Sequence, residues 1–184
     1  MEPTAGADRI VRSYQVAAQI IGWFTLGVGF TVLVMGWWLD FAVVRSLLPG
    51  TVSMKANAAV AFIFIGISLI SYLRSWPTLV ALVSAGLCFV IGVVTCVEYA
   101  LGVGVTVFDS LLGASPDEVL TPSAGRPALV AAICFVLIGV ALVLLITRRW
   151  CWVRQGLGAI VIVSASVILL AYIGLDRLAD FGRF

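Results

Sequence analysis

Glu98 is the residue best placed for chemistry, because it closes an apolar run from Thr78 to Val97. An ionisable group at membrane depth is costly, and is usually paired or functional. Such a carboxylate could bind a ligand or relay a proton. As an ordinary interfacial acid it would pair with Arg126 or Lys55, or stay hydrated. Asp40, Arg45, Lys55, Asn57, Asp109 and Arg126 carry both signs and could line a cavity on the same face. They could equally be loop ion pairs, and Asn57 suits a helix N-cap as well as a ligand contact.

Other chemistries lack their parts. The chain contains no histidine. That removes His-ligated haem or chlorophyll, Cys–His zinc sites and Ser–His or Cys–His triads. Cys88, Cys96, Cys134 and Cys151 show no CxxC spacing and read as small apolar side chains. No nucleophile–base pair, metal cluster or phosphate loop is present, so the expectation is no enzyme, no metal and no obligate cofactor. A bound lipid, or a pigment held through backbone carbonyls or water, stays open.

The elements that must position these residues are membrane helices. Apolar residues make up 62% of the 184-residue chain and charged residues 11%. Soluble domains average about 45–50% and about 25%. A net charge of +2 is too small for phosphate-driven nucleic-acid binding. A span needs about 20 apolar residues, and five runs qualify, near 15–38, 56–73, 78–98, 128–147 and 155–175. They are too long for strands and lack barrel alternation. The expected fold is an all-α polytopic membrane bundle. A tail of residues 1–12 precedes the five-helix domain of 13–175, and a tail of 176–184 follows it.

The breaks between runs fix the register. Pro77 suits the first turn of the third helix, and Arg148 to Arg154 makes a second short turn. Tyr14, Tyr72, Trp76, Trp150 and Trp152 mark one interface, and Trp37, Trp38, Tyr99 and Tyr172 the other. Only Trp23 falls inside a span. Arg9, Arg12, Arg74, Arg148, Arg149 and Arg154 crowd the short-turn side. Basic residues in short loops stay cytoplasmic, so the N-terminus is expected in the cytoplasm and the C-terminus in the periplasm. Arg148, Arg149 and Arg154 either fix this topology or meet anionic lipid head groups. Asp117 and Glu118 lie in the longest outer loop, which is either a protein-contact or ligand-contact surface or a solvated loop.

Small residues recur with a period. Gly22, Gly29 and Gly36 share one face of the first helix. That face suits packing inside the bundle or docking on a partner helix. Gly156, Gly158, Ser164 and Ser166 suggest close packing on the last helix. A loose internal repeat relates Phe62-Ile63-Phe64-Ile65-Gly66 to Phe135-Val136-Leu137-Ile138-Gly139. It also relates Ser46-Leu47-Leu48-Pro49-Gly50 to Ser110-Leu111-Leu112-Gly113, and a third partial unit starts at Leu169.

Several short motifs carry a resemblance. They are Gly36-Trp37-Trp38-Leu39-Asp40, Ser46-Leu47-Leu48-Pro49-Gly50 and Met54-Lys55-Ala56-Asn57-Ala58, then Glu98-Tyr99-Ala100-Leu101-Gly102, Asp109-Ser110-Leu111-Leu112 and the stretch from Gly174 to Phe184. From about Ile20 onward the chain resembles the multi-helix N-terminal membrane region of bacterial PAS-domain sensor histidine kinases and diguanylate cyclases. It departs from that pattern at Ala56, where the family often has proline, and at Gly125-Arg126-Pro127-Ala128, which lacks the asparagine. In sensors of this kind the chain crosses back into cytoplasmic signalling domains, and none is present here. The resemblance implies a sensory body; either these 184 residues are a piece of a longer chain, or they are a stand-alone relative put to another use.

The expected function is therefore non-catalytic. The chain would be an accessory subunit packing against other membrane subunits and lipid, for example in a respiratory or photosynthetic complex of the bacterial inner membrane. The alternative is a sensory input module that binds an outer-face or lipophilic ligand and signals through a separate partner.

Overall fold

The computed structural model describes residues 5–39, 41, 54–102 and 129–181. Five helices in this set are long and apolar enough to cross a membrane. The first, α1, runs Ala5–Thr31 and continues as a π-helical segment, Val32–Trp38. It is followed by α2, Ala56–Leu73; α3, Thr78–Leu101; α4, Leu129–Ile146; and α5, Cys151–Phe181. The protein is an all-helical bundle, with no strand among the described residues.

Helix ends differ from the sequence reading where charge and polarity blur hydropathy. The first helix begins at Ala5, so Arg9 and Arg12 are exposed residues of α1 and not of a tail. The second short turn closes by Trp150, and Cys151 to Arg154 open α5. At the other end α5 runs on to Phe181. Helical hydrogen bonding does not need apolar side chains, so a helix can outrun its hydrophobic stretch.

Each helix packs on the next in the chain, and α2 also touches α4. The two short connections are built alike. After α2, the Trp76 amide donates to the Ser71 carbonyl and the Ser75 amide to that of Tyr72. After α4, Arg149 donates to Leu144 and Arg148 to Leu145. Both are Schellman closures, which require a left-handed residue, usually glycine. Here Ser75 (φ 55°) and Arg148 (φ 54°) fill that position. At the opposite end of α3 a glycine does it, Gly102 at φ 63°.

Glycine lets these helices approach to backbone contact. A Cβ on Gly29 would stand 2.6 Å from the Ala59 carbonyl oxygen, and one on Gly92 would stand 2.8 Å from that of Ala132. From the other side, a Cβ on Gly66 would meet Leu26 at 2.7 Å, and one on Gly139 would meet Phe89 at 2.7 Å. These pairs correspond position by position. Leu26 and Gly29 on α1 stand 63 residues before Phe89 and Gly92 on α3; Ala59 and Gly66 on α2 stand 73 before Ala132 and Gly139 on α4. The α1–α2 and α3–α4 hairpins are therefore two copies of one packed unit. Phe62 of α2 meets Phe135 of α4 edge-on, centroids 6.0 Å apart, at the centre of an apolar cluster with Ala58, Ala61, Cys88 and Ile91.

Candidate functional site

Polar side chains are buried along the seam between α2 and α3. Ser68 Oγ donates to the Ala81 carbonyl at 2.9 Å, which sets the register of the two antiparallel helices. Asn57 lies three turns before Ser68 on the same face of α2. On α3 the buried stripe Ala81, Ala85, Cys88, Ile91 and Thr95 continues to Glu98. Asn57 and Glu98 thus converge on the outer end of one seam. By the Ser68–Ala81 register Asn57 is level with Gly92, so Glu98 sits roughly 9 Å of helix rise further out. Cα–Cβ bonds tilt toward a helix N-terminus. The Glu98 side chain therefore leans into the bundle and that of Asn57 leans outward, each toward the other's level.

The electrostatics at this end are unusual. Asn57 is 1% exposed, Lys55 3% and Glu98 8%. Asn57 Oδ1 accepts the Ala58 amide at 3.1 Å, so it satisfies a first-turn donor from inside the helix. The N-cap position belongs to Lys55, in extended conformation with no side-chain cap bond. Asn57 Nδ2 and both Glu98 carboxylate oxygens have no hydrogen-bond partner among the described residues. Thr95, by contrast, is satisfied by its own helix, donating to Ile91 O at 2.9 Å. The Trp37 indole donates to Met54 O at 3.2 Å and ties the π-helical end of α1 to this entrance. A buried carboxylate and a buried amide N–H at one end of a seam ask for a group bearing one donor and one acceptor.

Asp40, Arg45, Asp109 and Arg126, with the Asp117–Glu118 loop, lie outside the described residues. Lys55, Asn57 and Glu98 are the candidate-site residues that the fold brings to one end. The glycines fall on contacts within the chain: Gly22 against Ile70 and Leu69, Gly29 against Ala59 and Ile63, and Gly36 buried in the π-helical segment. Gly92 carries a close α3–α4 backbone approach, and its signal was present in the sequence as the counterpart of Gly29. Ser71, fully buried with a hydroxyl that has no partner among the described residues, gave no sequence signal.

At the short-turn end, Arg148 and Arg149 are exposed and Arg154 is half-buried in the first turn of α5. Arg74 stacks over Trp23, 5.5 Å from the ring centroid. That contact explains a tryptophan inside the span: the guanidinium reaches it along the helix surface. The four cysteines are free thiols, from fully buried Cys88 to exposed Cys151. Among the described residues no three His, Cys, Asp or Glu side chains gather as metal ligands. No family model matches the chain, and no curated protein or solved structure matches it.

Proposed function

We propose that this chain is a non-catalytic membrane subunit that packs, through α5, against a helix of another protein in a larger membrane complex, for example a respiratory or photosynthetic one. One observation carries the reading. No residue of Cys151–Leu170 is buried, although this stretch repeats the face pattern of α3. Its half-buried residues are Arg154, Leu157, Gly158, Val161 and Ser164. Each stands 73 positions after a buried residue of α3, namely Ala81, Ser84, Ala85, Cys88 and Ile91. On α3 the next positions, Phe89 and Gly92, receive α4. Their counterparts on α5, Ile162 and Ala165, are exposed. A partner helix with a small residue at its crossing would pack there as α2 packs on α1 and α4 on α3. Purified in mild detergent, the chain should bring down a stoichiometric membrane partner. Recovery only as a monomer or homodimer would sink the idea.

The membrane is proposed to be the bacterial inner membrane, with the arginine-rich turns in the cytoplasm. Cys151 tests this, being exposed at the start of α5. With Cys96 and Cys134 replaced by alanine, a membrane-impermeant maleimide should label Cys151 in inverted vesicles and not in intact spheroplasts. The reverse pattern would invert the topology. Cys88, fully buried, should label only after unfolding.

A second reading is favoured by Glu98 and Asn57. Their unpartnered groups suit a sensory module that takes a polar head group at the outer end of the α2–α3 seam and passes the signal to a partner.

A further inference from the structure

Between the two short turns lies a partly open cavity of about 250 Å³, lined by Tyr72, Ser75, Trp76, Thr78 and Arg148 with the apolar Ala81 and Ile146. That volume equals about eight water molecules' share of the liquid. Five of the lining residues carry a side-chain hydrogen-bond donor: three hydroxyls, an indole N–H and a guanidinium. No carboxylate is among the lining residues. The Arg148 guanidinium makes no ion pair or hydrogen bond among the described residues.

Two further features point the same way. Pro77 caps α3 without a side-chain hydrogen bond, and Thr78, the first residue of this 24-residue helix, lines the cavity. Helix N-termini of this kind favour anions. The left-handed residues of both Schellman turns, Ser75 and Arg148, are themselves lining residues. A non-glycine residue in that conformation is held at a cost, and such strain gathers at ligand sites. Here both left-handed residues, one carrying a hydroxyl and one a guanidinium, border the same cavity.

We propose that this cavity binds a phosphate group, with Arg148 as the charged anchor and Tyr72, Ser75 and Thr78 as hydroxyl donors. Its position among the arginines at the helix ends puts it at the level of lipid head groups, so a phosphodiester of an anionic lipid and a free phosphate ion are the two sources of that chemistry. The inference is independent of the partner proposed for α5, which is carried on a different face.

The test is thermal unfolding of the detergent-purified full chain during titration with dioleoylphosphatidylglycerol, dioleoylglycerol or inorganic phosphate. Phosphatidylglycerol should raise the unfolding temperature and dioleoylglycerol, which lacks phosphate, should not. A matching rise with inorganic phosphate assigns the site to the free ion; a rise with the lipid alone assigns it to the head group. Arg148→Asn keeps a residue that tolerates the left-handed conformation. It should weaken the response about tenfold, as expected for loss of a charge-assisted hydrogen bond. Arg149→Asn, outside the cavity, should leave the response intact. Equal losses in the two variants, an equal rise with dioleoylglycerol, or no rise with either phosphate probe would overturn the proposal.

Discussion

Gly92→Ala and Gly139→Ala will each lower the unfolding temperature of the purified protein, and Gly92→Leu will leave little folded monomer. An added Cβ at Gly92 meets Ala132 O and Val136 N at 2.8 Å, and one at Gly139 meets the Phe89 backbone at 2.9 Å. Neither neighbour is a flexible side-chain tip, so α3 and α4 must move apart along their whole crossing. Overpacking of a core costs about 1–3 kcal/mol, and a backbone clash puts these sites at the upper end. Gly29 and Gly66, their counterparts in the first hairpin, should behave the same way. Gly27, Gly86 and Gly156 have nothing within 4 Å of an added Cβ. Alanine there should be neutral or stabilise by about 0.5–1 kcal/mol, the helix penalty of glycine. Equal tolerance in the two groups would contradict the packed-hairpin account.

Glu98→Met will stabilise the isolated bundle. The carboxylate is nine-tenths buried and neither oxygen accepts a hydrogen bond among the described residues. A buried charge without donors costs several kcal/mol, and an apolar side chain of similar volume removes that cost. The expected gain is about 2 kcal/mol in denaturant or thermal unfolding. Stability held back in this way is commonly the mark of a functional group. If the seam takes a polar head group, the same variant should lose any ligand-dependent rise in stability that the wild type shows. A fall of about 1 kcal/mol or more in Glu98→Met would instead identify a stabilising donor, with Arg126 the first to examine.

The spans could be read from the sequence because hydropathy alone sets them: α2, Ala56–Leu73, has the bounds of its apolar run. Contacts were legible only where a residue type forces them. Gly66 and Gly139 stood out as a repeated motif, yet their partners Leu26 and Phe89 are ordinary apolar residues that any lipid-facing helix could carry. The π-helical widening at Val32–Trp38 left no trace, since backbone hydrogen-bond spacing has no side-chain code there. Asn57 shows the same limit: its type fits a cap, but Lys55 occupies the cap and Asn57 is drawn into the seam. The cavity between the turns was invisible for a different reason. Tyr72 and Arg148 are far apart in the chain and meet only because α4 returns beside α3.

The uncovered face of α5 bears most directly on what the protein does. A photo-crosslinking amino acid at Ile162, on the face equivalent to the α4-binding face of α3, should give one discrete adduct with another membrane protein in native membranes. The same probe at Val167, about 140° round the helix, should give only lipid adducts. Ala165→Leu should abolish the Ile162 adduct while the bundle keeps its unfolding temperature, because Ala165 is exposed. Lipid adducts alone at Ile162, or a protein adduct unaffected by Ala165→Leu, would contradict the assignment of this face to a partner helix.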